Sequence, residues 1–524
     1  MELQIENVSK GIRKVINKNI IILAVLIVLV SILLRVPLTP SEINYDSYIV
    51  HEMTMSVYSN DYSPYNNNVL SLFGLFPFSY ASLNPYLVTI LAKITNIGID
   101  NIAIIYPIIL GILGALLAFI FFYKLSSNRL HSLIFTIFFC FSVEFIYLTT
   151  YTIRSRALIT LLLPLIFFII YCYEKEKKRK YLVLLIIILF IALMSHRLGL
   201  FLIYLIIVYI LFKASYPILK NYAGRNKIYA YITIIGLLTP YVFRIISLKD
   251  ITSVLRLGLD IAPYLRSQNI IFIIAIVGFL YSIFYIKERS FMQEYILVGF
   301  IMLIPFFSLT VYMPELIVLF VSYFATNIIV LLVRKYKNIN YYITGIILIY
   351  IACSIILSLY HPSLIIKSVT NANIKEYATN EELAVFRWAE INTEKKYLFI
   401  SNNDFEIVRF NVYNYCRGLN TDRSFIGCNL ITFKSDSFEM SKIHDTYSIR
   451  NPFFLSTRLS MQGTIKSIIQ NNFNNFRLLY KYNIRYLLIN INSKYNSELI
   501  KKNNVIYSSN NLIILDSKSD TKKQ

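Results

Sequence analysis

Between Ile102 and Tyr123 the chain runs without a charged residue. Runs of the same kind recur along its first 360 positions, separated by knots of lysine and arginine. About twenty apolar residues are what a helix needs to cross the ~30 Å core of a bilayer while bonding every backbone amide within itself. A chain that repeats this pattern is constrained to fold as a bundle of membrane helices. Composition agrees, because 56% hydrophobic residues and a mean hydropathy of +0.58 leave more apolar surface than one soluble core can hide.

The first run, Ile20 to Leu34, follows Lys10, Arg13, Lys14 and Lys18 and leads into Arg35, Val36 and Pro37, with no small-residue cleavage site. It reads as a retained signal anchor. Further spans are predicted at Ile102 to Tyr123, Leu130 to Thr150, Ala157 to Tyr173, Tyr181 to Met194, Leu198 to Phe212, Ile228 to Ser247, Ile270 to Ile286, Tyr295 to Val311, Leu316 to Val333 and Tyr341 to Tyr360. That makes about eleven. Around Ser195, His196 and Arg197 the reading is open between two spans and one broken helix.

The net charge of +22 falls in short clusters between apolar runs, which marks orientation and contact with anionic lipid rather than nucleic-acid binding. With the N-terminus inside, the cytoplasmic segments carry twenty lysines and arginines. The outer loops carry seven: Lys93, Arg154, Arg156, Arg197, Lys249, Arg256 and Arg266. The expectation is a multi-pass protein of the cell membrane, its N-terminus cytoplasmic and its C-terminal part extracytoplasmic.

Three regions follow. Residues 1–360 form the transmembrane domain, with a large first outer loop at 37–101. Residues 361–516 read as an extracytoplasmic α/β domain, and 517–524 as a disordered tail. Within the α/β region, helices are predicted over Glu376 to Asn392, Thr464 to Tyr482 and Asn496 to Lys502. Strands are predicted over Tyr397 to Ile400, Tyr486 to Ile491, Val505 to Tyr507 and Leu512 to Leu515. Cys140, Cys172 and Cys353 lie within spans as small apolar residues. Cys416 and Cys428 lie in the outer domain, where they form either a disulfide or two free thiols.

Chemistry is sought where polar residues gather at one membrane face despite their cost. The first outer loop is acidic, with Glu42, Asp46, Glu52 and Asp61 against Lys93. A helix is predicted to begin at or just after Asp46, with Ile49, Met53 and Val57 on one stripe, and a second to cover Leu83 to Ile94. Asp46 is an N-cap on the plainest reading, which leaves a second role open. Arg154, Arg156, His196, Arg197 and Arg266 should reach the same face. For the arginines at 154, 156 and 266 the alternative is snorkelling to headgroups. For His196 and Arg197 it is a polar break capping two helices. Glu144 is placed about 9 Å below the outer end of its helix by the rise per residue, either as a functional acid or in a structural ion pair. Glu42 is expected to tolerate replacement by Gln.

These features resemble the GT-C superfamily of integral membrane glycosyltransferases, which use polyprenyl-phosphate-linked sugars. Shared with it are the N-terminal span, a large outer loop with an acid soon after the membrane, about eleven spans and an outer C-terminal domain. Asp46-Ser47-Tyr48-Ile49-Val50-His51 is similar to the Asp-x-Tyr-x-His motif of the oligosaccharyltransferase branch, with a longer spacing. Leu478-Leu479-Tyr480-Lys481-Tyr482-Asn483-Ile484-Arg485-Tyr486-Leu487-Leu488-Ile489 is similar to segments of other members. The Trp-Trp-Asp-Tyr-Gly motif of that branch is missing, since Trp388 is the one tryptophan. Metal-dependent members carry a second acidic motif after the third span, where Tyr151 to Arg156 is basic here. A divalent ion, Mg or Mn, would therefore take His51, Glu52 or Glu144 as ligands.

The resemblance implies transfer of a sugar from a polyprenyl-phosphate donor to a glycan, lipid or protein acceptor on the outer face. Asp46 would be the base. Arg154, Arg156, His196, Arg197 and Arg266 would bind the donor and its departing phosphate. A polysaccharide polymerase or ligase, a lipid or solute transporter, and a non-catalytic membrane protein are the alternatives. Transporters place their polar sites near the midplane, often with repeats; here the polar residues gather at the outer edge and no repeat is evident.

Overall fold

The computed structural model describes residues 27–36, 45–60, 82–221, 224–245, 268–286, 289–307, 312–335, 349–354, 380–393, 398–401, 484–490, 504–509 and 512–516, with single positions at 25, 42, 264, 265, 345 and 347. The chain divides into two compact units. The first comprises Met1–Val36, Ile104–Thr150 and Arg154–Ala372, and the second Pro37–Ala103, Tyr151–Ile153 and Asn373–Gln524.

The first unit is helical. Its elements are α3 (Ile99–Ser126, which starts in the second unit), α4 (Arg129–Cys140), α5 (Val143–Leu148), α6 (Ser155–Glu176), α7 (Arg179–Ser195), α8 (Gly199–Asn221), α9 (Arg225–Ile245), α10 (Ile270–Phe284), α11 (Phe291–Leu303) and α12 (Met313–Lys335). Four of these, α3, α6, α8 and α12, are long and apolar enough to cross a bilayer, which makes the chain a membrane protein. The helix α12 is the hub, packed against α10, α4 and α6 and buried from Met313 through Thr326. Gly278 permits the α10 contact, since a Cβ there would collide with the backbone of Phe324. Polar side chains inside this unit close back on their own helices, as Ser322 does onto the Val318 carbonyl at 2.8 Å and Thr326 onto the Ser322 carbonyl at 2.7 Å. Nothing polar is thereby left facing hydrocarbon at these positions.

Two readings of the spans change. Leu130 to Thr150 is not one helix, because α4 ends at Cys140 and Ser142 starts α5 by accepting a bond from the Phe145 amide at 3.3 Å. The run has no Gly or Pro and its mean hydropathy stays high, so an averaged profile does not mark the break. Tyr295 to Val311 begins earlier, at Phe291. There Ser290 and Gln293 form a capping box, and the helix tightens into a 3-10 turn at Ile304–Phe306. The question left open at Ser195 is answered by α7 and α8, which fold back on each other. Gly199 lies against the Ala192 backbone, an approach that a continuous helix cannot make over seven residues.

The second unit holds α1 (Tyr45–Asn60), α2 (Leu83–Thr95), α13 (Asn380–Asn392) and a four-stranded sheet in the order β1-β2-β4-β3. The strands are β1 (Leu398–Ser401), β2 (Ile484–Asn490), β3 (Asn504–Ser508) and β4 (Leu512–Asp516). The β1–β2 pair is parallel, and β2–β4 and β3–β4 are antiparallel. Its core gathers Leu383, Phe386 and Ala389 of α13, Tyr486, Leu512 and Ile514 of the sheet, and Tyr48 of α1. The predicted stripe on α1 is wider than expected: besides Met53 and Val57, the residues Ser47, Tyr48, Val50, His51, Thr54 and Met55 are buried. Packing against both α2 and the α13 and sheet core takes more than one face of the helix. Cys416, Cys428, Thr464 to Tyr482 and Asn496 to Lys502 lie outside the described residues.

Candidate functional site

In the first unit a charged cluster forms at the adjoining starts of α5, α6 and α12. Ser142 ends one helix and caps the next, so Glu144 sits in the first turn of α5 rather than deep within a longer helix. It is buried. Arg154 occupies the N-cap position of α6 with extended backbone, and Arg156 lies in that helix's first turn. Pro314 near the start of α12 suits a helix N-terminus, where its missing N–H has no bond to make. The next residue is Glu315, fully buried.

Arg156 donates to Glu315 Oε1 at 2.5 Å, and the charges of Arg156 and Arg154 both act on Glu144. The aromatic ring of Tyr312 ties in the α7–α8 turn. Arg197 donates to its hydroxyl, the Arg197 and Arg156 guanidinium carbons lie 4.8 and 5.8 Å from its centroid, and the His196 ring lies 6.1 Å away. His196 also closes its own turn, accepting on Nδ1 from the Leu198 amide at 3.2 Å. The polar break is thus both a helix boundary and part of the cluster.

Arg154 differs from its neighbours. Its side chain is 1% exposed and stacks 4.1 Å from the Tyr147 centroid, yet its Nε, Nη1 and Nη2 make no hydrogen bond among the described residues. Snorkelling to lipid headgroups does not fit that burial.

The second unit carries a separate buried network. Glu42 accepts from Ser47 Oγ at 2.6 Å and pairs with His51 Nδ1, while His51 Nε2 lies 3.4 Å from Asp100. Ser47 Oγ in turn accepts from the Ile153 amide at 3.0 Å, and Tyr48 donates to the Glu42 carbonyl at 2.8 Å. Tyr151, in the left-handed region at φ 44°, completes this corner. Its burial, with Glu42 adding, holds its phenol protonated well above the ordinary range. Asp46 lies in the first turn of α1, one residue inside the helix rather than at its N-cap. The side chains of Asp46 and Glu52, and all of Arg266, lie outside the described residues.

The fold brings the expected residues Arg154, Arg156, His196, Arg197 and Glu144 into one neighbourhood. Sequence reasoning missed Glu315, Tyr312 and the role of Glu42. The rule that flagged Glu144 applies equally to Glu315, an acid at the edge of a strongly apolar run. As for a divalent ion, no three His, Cys, Asp or Glu side chains converge as a cage among the described residues. His51 is already shared by two carboxylates, and Glu315 is held by Arg156. Of the expected ligands, His51 and Glu144 do not converge with a third such side chain, and the side chain of Glu52 lies outside the described residues.

No family model matches the sequence, and no curated protein matches it. Solved structures do. The oligosaccharyltransferase of Archaeoglobus fulgidus, in complex with zinc and sulfate, superposes with a TM-score of 0.57 at 12% identity, over 89% of this chain and 68% of that one. The same archaeal enzyme, AglB, with an inhibitory peptide and a dolichol-phosphate gives 0.56 at 11% identity, over 90% and 69%. ArnT from Cupriavidus metallidurans, bound to undecaprenyl phosphate, gives 0.51 at 9% identity, over 96% and 98%. The chain shares the fold of these solved structures. At these identities the likeness establishes the fold alone and leaves the chemistry to the side chains described above.

Proposed function

We propose that this chain is a GT-C-type membrane glycosyltransferase. It moves a sugar from a polyprenyl-phosphate-linked donor to a glycan, lipid or protein acceptor on the outer face of the membrane. The observation that carries the reading is Arg154. Its guanidinium has no hydrogen bond among the described residues; a buried ion without partners costs several kcal/mol, and a ligand oxygen would offset that cost. A phosphate offers two oxygens in the geometry that a guanidinium matches. Arg156, Arg197 and His196 supply further positive charge to a departing phosphate. The dolichol-phosphate on AglB and the undecaprenyl phosphate on ArnT support a polyprenyl carrier.

Asp46 is the base in this proposal, on the resemblance of its motif. Its helix turn is fixed by the buried neighbours Ser47 and Tyr48. The N-terminus is proposed to be cytoplasmic, and residues 361–516 to form an extracytoplasmic domain that takes part in acceptor binding. Arg154→Gln tests the site. Binding of undecaprenyl phosphate, read by native mass spectrometry of the purified protein, should weaken by about thirtyfold, the equivalent of one charge-assisted bond of ~2 kcal/mol. Unchanged binding would remove Arg154 from donor recognition.

A further inference from the structure

A cavity of about 320 Å³ lies among α3, α4, α10, α11 and α12 of the first unit, apart from the charged cluster. Its position follows from its lining. Ser126 ends α3, His131 is in the first turn of α4, Arg289 precedes α11, and Arg334 is in the last turn of α12. All four belong to the end of the bundle where the chain passes through its basic loops.

The upper lining is cationic. Arg289 and Arg334 supply the charge, joined by His131, Gln293 and Asn327, and among the described residues no carboxylate borders the space. Arg289 is fixed by donating to the Ser282 carbonyl and to Asn226 Oδ1 at 3.3 Å, while its buried Nε makes no hydrogen bond among the described residues. Glu294 lies 3.9 Å from Arg289 but is 3.2 Å from Arg225, so one carboxylate is divided between two guanidinium groups and the surroundings stay positive. The deeper wall is apolar, built by Leu125, Leu297, Val330 and Leu331.

We propose that this cavity binds an anionic phospholipid of the cytoplasmic leaflet. Its phosphate sits between Arg289 and Arg334, and its first methylenes lie on the leucine and valine wall. The charge selects the ligand, because a zwitterionic headgroup finds no carboxylate there for its ammonium. The amphipathic lining favours a lipid over a soluble phosphate, which has no use for the apolar wall.

Native mass spectrometry of the full-length protein, titrated with phosphatidylglycerol and phosphatidylcholine, tests this. The wild type should prefer phosphatidylglycerol, and Arg334→Gln, at an exposed position, should reduce that preference about fivefold. Leu331→Trp, which fills the cavity and leaves every charge in place, should also abolish it. Lys180→Gln, which removes one charge from the first turn of α7 but borders no part of the cavity, should keep it. Equal binding of both lipids, or the same loss in Lys180→Gln as in Arg334→Gln, would overturn the proposal. Inorganic phosphate that stabilises wild type but not Arg334→Gln, in the absence of any phosphatidylglycerol preference, would identify a soluble phosphate instead.

Discussion

Arg156 is paired with Glu315, whereas Arg154 beside it makes no hydrogen bond among the described residues, and substitutions should separate the two. Arg156→Ala leaves Glu315 buried without its partner, which should cost about 3–5 kcal/mol and appear as a lower thermal midpoint. Arg154→Gln removes a guanidinium with no hydrogen bond among the described residues but with a stack on Tyr147 and a field on Glu144, so its midpoint should move less than that of Arg156→Ala while phosphate binding falls. Glu42→Gln disturbs the bonds to Ser47 and His51 and should destabilise by about 1–3 kcal/mol in thermal unfolding. From the sequence alone, little effect of this replacement was expected. At this scale the arginines were legible because charge stands out against apolar runs. Glu315 was not, because its span was read as starting one residue later. The burial of Glu42 depends on His51, one helix turn beyond Ser47, and a linear reading cannot show that closure.

Helix and strand identity was well legible where the side-chain pattern alternates or repeats. Asn380–Asn392 and the four strands fall within a few residues of their predicted positions. What failed was the break at Phe141 and Ser142, inside an apolar run with no Gly or Pro. Its trace in the sequence is a serine with an acid two residues on, an N-cap followed by a first-turn carboxylate. Close packing of elements rests on positions that sequence alone does not rank, and Gly278 is the sharpest. Gly278→Leu would drive a side chain into the Phe324 backbone and should cost about 1–3 kcal/mol or more, separating α10 from α12. Loss of thermal stability with retained helicity is the expected result, and a wild-type melting curve would show that α10 and α12 do not pack as described.

For the molecule as a whole, the bundle was legible from apolar runs, and the charge asymmetry proposed its orientation. Cysteines placed at Ser508, exposed in the sheet, and at Ser126, the last residue of α3, should respectively react and fail to react with an impermeant reagent on intact cells. The reverse pattern would invert the proposed topology. The unit that joins residues 37–103 to the C-terminal sheet was not legible, because it depends on Tyr48 entering a core built by residues more than three hundred positions away. The claim that the chain transfers sugars is tested most directly by release of free polyprenyl phosphate from lipid-linked sugars of the source membranes, a readout independent of which sugar or acceptor is used. Purified wild type in nanodiscs should release it with time. Asp46→Asn should be slower by two or more orders of magnitude, roughly 3 kcal/mol in barrier, with an unchanged melting temperature. Release by Asp46→Asn at the wild-type rate, or none by well-folded wild type, would contradict the account.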